Sequence, residues 1–599
     1  MTKKGSFARN PLRAIFTSDL GRAIAVLVGL VLLAVLVTAQ PDAGTGLRRA
    51  LSDSNGGNLF GNYLAARHAT HTNDTRAAAG FYRSAVEEDP GNNIILERAF
   101  LLELSSGDLP GGVDLAERLV MVDPSHRLSR YALGVVDLRA RQFQAARRHF
   151  ELSDKRGPIG EMVSALLIAW SYQGSGDTEQ ALEIIDDLEG PEWFGVFKSY
   201  HSALISELAG RTSLARAHFT AAYEADNTLY RVVEGYSRFL ARNGEIEKAI
   251  EILEAFQSVI SNHPIISVLL TQISGGETPD PIIRSTPEGA SEGLYGIGSA
   301  LARERGNDLA IVFLEFARHL YPESPQALVS LANIHEQNEN YALAIDTYNA
   351  VSKSSPFWSG AQVQAALNLN QLDREEEAIN GLRNLIIADP GNQQALHSLG
   401  FIFRTHERYD EAVEVFSSAI NQLDEIGPGD WRLLYSRGIS YERLRNWPSA
   451  EADLVKALEL DPNNPQILNY LGYSWIDQGL HLDRAIEMIR GAVEQRPDDG
   501  YIVDSLGWAY YRLGNYEESV TELERAVHLK PNDAVINDHL GDAYWQAGRK
   551  FEARFQWEQA RVFDPEPELL ELINSKIKDG LPVVPLARTA GEDATANGT

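Results

Sequence analysis

Cysteine is absent from all 599 residues. That absence excludes disulfides, thiolate metal sites, cysteine nucleophiles and lipid attachment through cysteine. Positive charge is scarce as well: 54 Lys and Arg stand against 83 Asp and Glu, a net charge of −29. Nucleic acid needs clustered Lys and Arg, so it is set aside as a partner, and docking of the main body on anionic lipid is disfavoured. Acidity of this kind keeps an extended surface soluble. Catalytic signatures are missing too. There is no HExxH, because His335-Glu336 lacks the second His, and there is no P-loop. Gly472-Tyr473-Ser474 fails the last position of G-x-S-x-G. Gly296-Ile297-Gly298-Ser299-Ala300 brushes the dinucleotide pattern without a strand before it, and reads as helix packing. His68 and His71 are helical neighbours without a third ligand and read as a surface pair. The chain is therefore expected to be no enzyme and to hold no cofactor or metal. The contrary reading needs an enzyme hidden in the divergent N-terminal half.

One long apolar run stands near the start, Ala23 to Ala39. Before it, residues 1–22 are basic, with Lys3, Lys4, Arg9, Arg13 and Arg22 against Asp19. Seventeen residues of helix span roughly 25 Å, the short end for a bilayer. The leading segment is long and the run exceeds a usual signal core, which favours an uncleaved anchor. Val37-Thr38-Ala39 before Gln40 also fits the small-residue rule for signal cleavage. In both readings the charge keeps the N-terminus in the cytoplasm and sends the body out. The body is therefore expected outside the cytoplasm (in a bacterium the periplasm), tethered to the inner membrane by 23–39 or free after cleavage behind Ala39. Residues 40–60 form a Gly/Asp/Ser-rich spacer.

The rest of the chain repeats. Proline recurs at Pro462, Pro497, Pro531 and Pro565, and a Leu-Gly pair keeps step at Leu471-Gly472, Leu506-Gly507 and Leu540-Gly541. An aromatic follows each Gly by three residues: Trp475, Tyr510, Tyr544. A small residue comes later (Ala485, Ser519, Ala553), and four beyond it a bulky apolar one (Ile489, Leu523, Trp557). This pattern resembles the tetratricopeptide repeat, two antiparallel helices every 34 residues. Gly and Ala let the helix backbones approach, the bulky residues fill the gap, and Pro stops the second helix. One unit cannot bury its apolar face alone, so units stack. The expected fold is an all-α right-handed superhelix, an α-solenoid, in two segments. The first, 61–262, holds about five divergent units. A Gly/Pro-rich break at 271–290 reads as a linker. The second, 291–578, holds eight units starting near 291, 325, 359, 393, 431, 465, 500 and 534, closed by a capping helix from Pro567 to Lys578. Residues 579–599 are low in bulky apolar residues and are expected to be disordered.

A solenoid without catalytic motifs presents a binding surface. In this repeat the first helix lines the inner groove, and positions 2, 5, 9 and 12 face inward. The strongest candidates for a peptide groove are Tyr435, Asn469, Tyr473, Tyr501, Asp504, Trp508, Tyr511, Asp538, Asp542 and Trp545. The set is aromatic and acidic, suited to a basic or neutral peptide. The competing reading is that several of them pack against the next repeat.

Two stretches carry a closer resemblance. They are Leu471–Trp475 with Arg496–Trp508, and Gly61–Arg67 with Asp89-Pro90-Gly91-Asn92. The chain is similar to a proteobacterial family of large envelope tetratricopeptide proteins. Some members are outer-membrane lipoprotein adaptors that bring a periplasmic carboxyl-terminal-processing protease to cell-wall hydrolases. The resemblance implies a scaffold or adaptor for envelope proteins, with such a protease and its substrates as partners. The lack of cysteine removes the lipoprotein anchor. The other scaffold reading is export of polysaccharide or outer-membrane proteins.

Overall fold

A computed structural model describes residues 59–191, 194–304 and 306–581. The expected membrane or signal helix at 23–39, its basic leader and the spacer lie outside the described residues. So does the tail beyond 581. No helix among the described residues is long and apolar enough to cross a membrane.

Thirty α-helices and no strand make up the described residues. Twenty-eight of them pair as hairpins, each first helix packed on the second that follows it. The glycine of the first helix explains why. A Cβ added at Gly400, Gly438, Gly472, Gly507 or Gly541 would lie under 3.0 Å from Phe416, Leu454, Ile489, Leu523 or Trp557 respectively. The repeat period is therefore the period of a close helix–helix approach. Several of the second helices end at a charged residue directly before a repeat proline, as at Asp461, Arg496 and Lys530.

Six hairpins lie between Leu59 and Val259, one more than the five expected. Eight follow, beginning at Thr286, Pro325, Trp358, Gln393, Trp431, Pro465, Gly500 and Ala534, close to the eight starts expected. Helix Pro567–Asp579 closes the series.

The described chain divides into two compact units, parted between Phe357 and Trp358. The Gly/Pro-rich break at 271–290 thus falls inside the first unit. It connects helix Pro264–Ser274 to helix Thr286–Arg303.

The first unit folds back on itself. Helix Thr286–Arg303 packs on the first helices Pro158–Gly174 and Phe194–Leu208, and helix Asn307–Leu320 packs on Asn93–Ser105 and Arg127–Arg139. Glycines make the approach possible. A Cβ at Gly289 would enter the Trp170 ring, one at Gly293 would press on His201, and one at Gly296 on Phe197. The stretch Gly296–Ala300 is thus packing, as its lack of a preceding strand suggests. The following hairpin then meets the beginning of the unit: Asn340 Nδ2 donates to Thr75 Oγ1 at 2.8 Å, and Arg76 pairs with Asp346 at 2.6 Å.

The second unit is six hairpins and the closing helix. Successive first helices touch one another and line its inner face.

Candidate peptide groove

The candidate groove belongs to the second unit, on the first helices Trp431–Arg443, Pro465–Gln478, Gly500–Arg512 and Ala534–Gln546. Its ten residues separate into two groups.

Five are engaged internally. Asp504 is buried and faces His539 of the next hairpin at 3.0 Å. Burial alone would depress His539, but Asp504, with Asp538 and Asp542 behind it, brings the imidazole above its usual range. Asp538 and Asp542 are buried and both accept from Lys576 Nζ, at 2.7 and 2.8 Å. Trp557 Nε1 donates to Asp542 as well, at 2.9 Å. Tyr511 is buried and stacks on Trp508, ring centres 4.7 Å apart. Trp545 lies against Trp557 at 5.4 Å and beside Gly580, where a Cβ would strike its ring. The field expected from Asp504, Asp538 and Asp542 is therefore reduced from within, by His539 and Lys576. The physical reason is helix Pro567–Asp579, which packs where a further hairpin would begin and supplies the cation.

The other five remain partly open. Tyr435, Asn469, Tyr473 and Trp508 are half-buried, and Tyr501 is 55% exposed with Lys530 over its ring. Burial pushes the Tyr435 hydroxyl up to about 12. It does the same to Tyr473, where the Asp504 charge adds to it. Neither ionises near neutrality, so both stay hydrogen-bond donors. Trp508 also stacks on His539, at 4.1 Å, so it bridges two hairpins as well as facing the groove.

Position counting did not single out Arg404, on the preceding first helix Gln393–Thr405. Its Nε is shielded and has no partner among the described protein groups. The same holds for Asn469 Oδ1 and Trp508 Nε1. Three of four consecutive hairpins thus carry an unpaired buried polar atom on a residue at an inward-facing position, and Asp538 Oδ1 of the next hairpin is another. The basic residue at position 12 of the repeat was the available signal. No group of three or more His, Asp or Glu able to hold a metal is found among the described residues, and His68 and His71 are exposed.

In the first unit, helices Thr286–Arg303 and Asn307–Leu320 pack on the first helices of earlier hairpins and cover that face there.

Comparison with known proteins agrees with this architecture. Family models match in three places: "Tetratricopeptide repeat" over 295–357, "Psidin, N-terminal TPR repeats region" over 331–468 and "TPR repeat" over 507–548. The chain is 27% identical over 191 residues to the TPR repeat-containing protein PA4667 of Pseudomonas aeruginosa, covering 32% of each chain. It is 25% identical over 166 residues to the general transcriptional corepressor ssn6 of Schizosaccharomyces pombe, covering 28% of this chain and 15% of that one. The matched stretches span a third or less of these relatives' own length. Among solved structures, the APC/C hetero-tetramer Cut9–Hcn1 is similar at 15% identity and a TM-score of 0.38, over 89% of this chain and 98% of that one. The chain is a tetratricopeptide-repeat protein. Proteins of this kind generally mediate protein–protein interactions.

Proposed function

We propose that this chain is a non-enzymatic scaffold of a bacterial cell envelope that holds an extended segment of a partner protein along the inner face of its second unit. One observation carries the reading: Arg404 Nε, Asn469 Oδ1 and Trp508 Nε1 are shielded and unpaired along that face. Leaving such a group unpaired costs about 1–3 kcal/mol. Arg404, Asn469 and Trp508 are half-buried as residues, so a turn of each side chain brings these atoms to the face, where a partner backbone supplies carbonyls for Arg404 and Trp508 and an N–H for Asn469, with Tyr435, Tyr473 and Tyr501 as contact area. The internal pairing of the groove acids lessens the demand for a basic peptide.

The envelope placement rests on the charge before Ala23–Ala39, and the body then stands in the periplasm, tethered by 23–39. Within that setting, the adaptor role suggested by the family resemblance brings a periplasmic protease to cell-wall hydrolases.

Two measurements test the proposal. Alkaline phosphatase fused after residue 60 is expected to be active, and an inactive fusion overturns the placement. A photo-crosslinking residue at Tyr473 in the full chain is expected to give discrete protein adducts in cells, while one at the exposed Glu459 does not. Equal labelling at both positions overturns the groove.

A further inference from the structure

The first unit carries a second kind of site, and it stands independently of the groove reading. Where helix Thr286–Arg303 lies against Phe194–Leu208 and Tyr230–Arg242, the packing leaves a pocket of about 150 Å³. An apolar cavity of about that size holds a benzene ring. Its walls are mainly apolar, with Phe197, Leu229, Tyr230 and Tyr295 among them.

The charges at its floor are already matched. Arg231 donates twice to Glu292, at 2.8 and 2.6 Å, and once to Glu234, at 2.5 Å. Arg238 donates to Glu234 at 2.9 Å, and Tyr200 Oη to Glu292 at 3.1 Å. Two guanidiniums thus face two carboxylates; of the four groups Arg231 and Glu292 line the pocket, so that pair has no net charge to offer a ligand. The hydroxyls of Tyr230 and Tyr295 bond each other at 2.7 Å.

Two lining groups remain unmatched. Ser299 Oγ is shielded and has no partner among the described protein groups. Arg303 is exposed, and no ion pair or hydrogen bond of its guanidinium is found among the described residues. The two are four residues apart on one helix, so they share a face. In a chain of net charge −29, an unpaired Arg beside an apolar pocket marks a place where an anion is welcome.

We propose that this pocket binds a carboxylate carrying one ring-sized apolar group, the ring between Phe197, Tyr230 and Tyr295 and the carboxylate on Arg303, with the Ser299 hydroxyl rotated to donate to it. Guanidinium and carboxylate match as a two-toothed pair. The chemistry has two sources, a free aryl acid or the last residue of a polypeptide.

Calorimetric titration of the full chain distinguishes them. The probes are 3-phenylpropionate, its neutral amide, and a decapeptide ending in Phe with a free or an amidated C-terminus. Saturable binding of either acid is expected, with its amide at least about tenfold weaker. Arg303→Gln should bring the acid down to the level of the amide, and Ser299→Leu should block both. Binding by 3-phenylpropionate alone identifies a small-molecule site, and tighter binding of the free-ended peptide identifies a polypeptide terminus. Arg303 also sits in the last turn of its helix, where a cation favours the helix dipole. A purely structural Arg303 would lower the unfolding temperature on substitution and leave acid and amide alike. Equal binding of acid and amide, no binding at millimolar concentration, or acid binding unchanged in Arg303→Gln overturns the proposal.

Discussion

Lys576, on the last helix, places its ammonium 2.7 Å from Asp538, with both side chains about 5–6% exposed. The same ammonium serves Asp542, whose carboxyl is pushed up to about 6 by burial and by Asp538. One cation therefore compensates two buried carboxylates, and the acids expected in the groove act as the lock of the closing helix. Removing one partner of a buried ion pair costs about 3–5 kcal/mol, because the other charge stays buried. Lys576→Met is expected to lose that much from the second unit. Asp542 has a folded value above its unfolded one, so its contribution is complete below about 4 and is lost as pH rises through about 6. The Lys576→Met defect should therefore be larger at pH 7.5 than at pH 5. Hydrogen exchange on the full chain, read separately for the two units, checks both statements.

Gly289 tests the fold-back of the first unit. A Cβ there enters the ring of the fully buried Trp170. Gly289→Leu should overpack the contact by about 1–3 kcal/mol and loosen helix Thr286–Arg303 from the inner face. Faster exchange in 286–320 and in 158–174, with 431–562 unchanged, is the expected pattern. Unchanged exchange in 286–320 would show that this helix is held by something other than its glycine face.

Much of this was legible locally and little of it at long range. The C-terminal starts were readable because Leu-Gly, the aromatic and Pro fall at fixed offsets, each tied to one hairpin contact. The count of five N-terminal units missed one because those prolines drift. A steadier signal was present: Gly107, Gly176, Gly210 and Gly244 all take left-handed backbone between paired helices, with Asn73 and Arg141 in the same role. These positions step by 34 or 35 residues. The fold-back was not legible, since Gly289, Gly293 and Gly296 meet side chains of helices far earlier in the chain. Position counting treats every groove as open. Asp538 and Asp542 do face the position where the next unit would stand, but the closing helix is there.

The fold-back should also respond to acid. His335 is buried at the seam near Thr75 and Asn340. Burial lowers its pKa to about 4, helped by Arg318 and Arg76. Unfolded, it takes a proton near 6.5; folded, it does not until about 4. Stability is thus lost as pH falls from 6.5 towards 4. His201 and His319, also lowered to about 4, act in the same direction. Glu315, raised to about 7 by burial, opposes them: its contribution is present below about 4.5 and lost as pH rises through about 7. Glu207, raised to about 6 by burial, opposes them as well. Three histidines against two carboxyls should still leave the first unit weaker at pH 5 than at pH 7. His335→Gln is expected to flatten that slope in urea titrations followed by exchange at 59–105. An unchanged slope would remove His335 from the account.

Trp508 decides how binding and stability share the groove. Its ring lies between Tyr511 at 4.7 Å and His539 at 4.1 Å, so it is part of the contact between two hairpins. It is also only half-buried, and its Nε1 is unpaired. A fully buried aromatic costs about 3–5 kcal/mol when cut to Ala. Trp508→Ala should cost less than that, yet measurably lower the melting midpoint of the second unit. A residue that only packed would weaken partner binding no further than the loss of folded protein. A residue that also contacts the partner should cost about 2 kcal/mol of affinity beyond it. Trp508→Phe separates the two contributions, because it keeps a stacking ring on His539 and removes the indole N–H. Near-native melting with weakened capture at the Tyr473 crosslinking position is the expected result. Native capture by Trp508→Phe would assign Trp508 to the hairpin contact alone and leave Arg404 and Asn469 as the polar contacts of the groove.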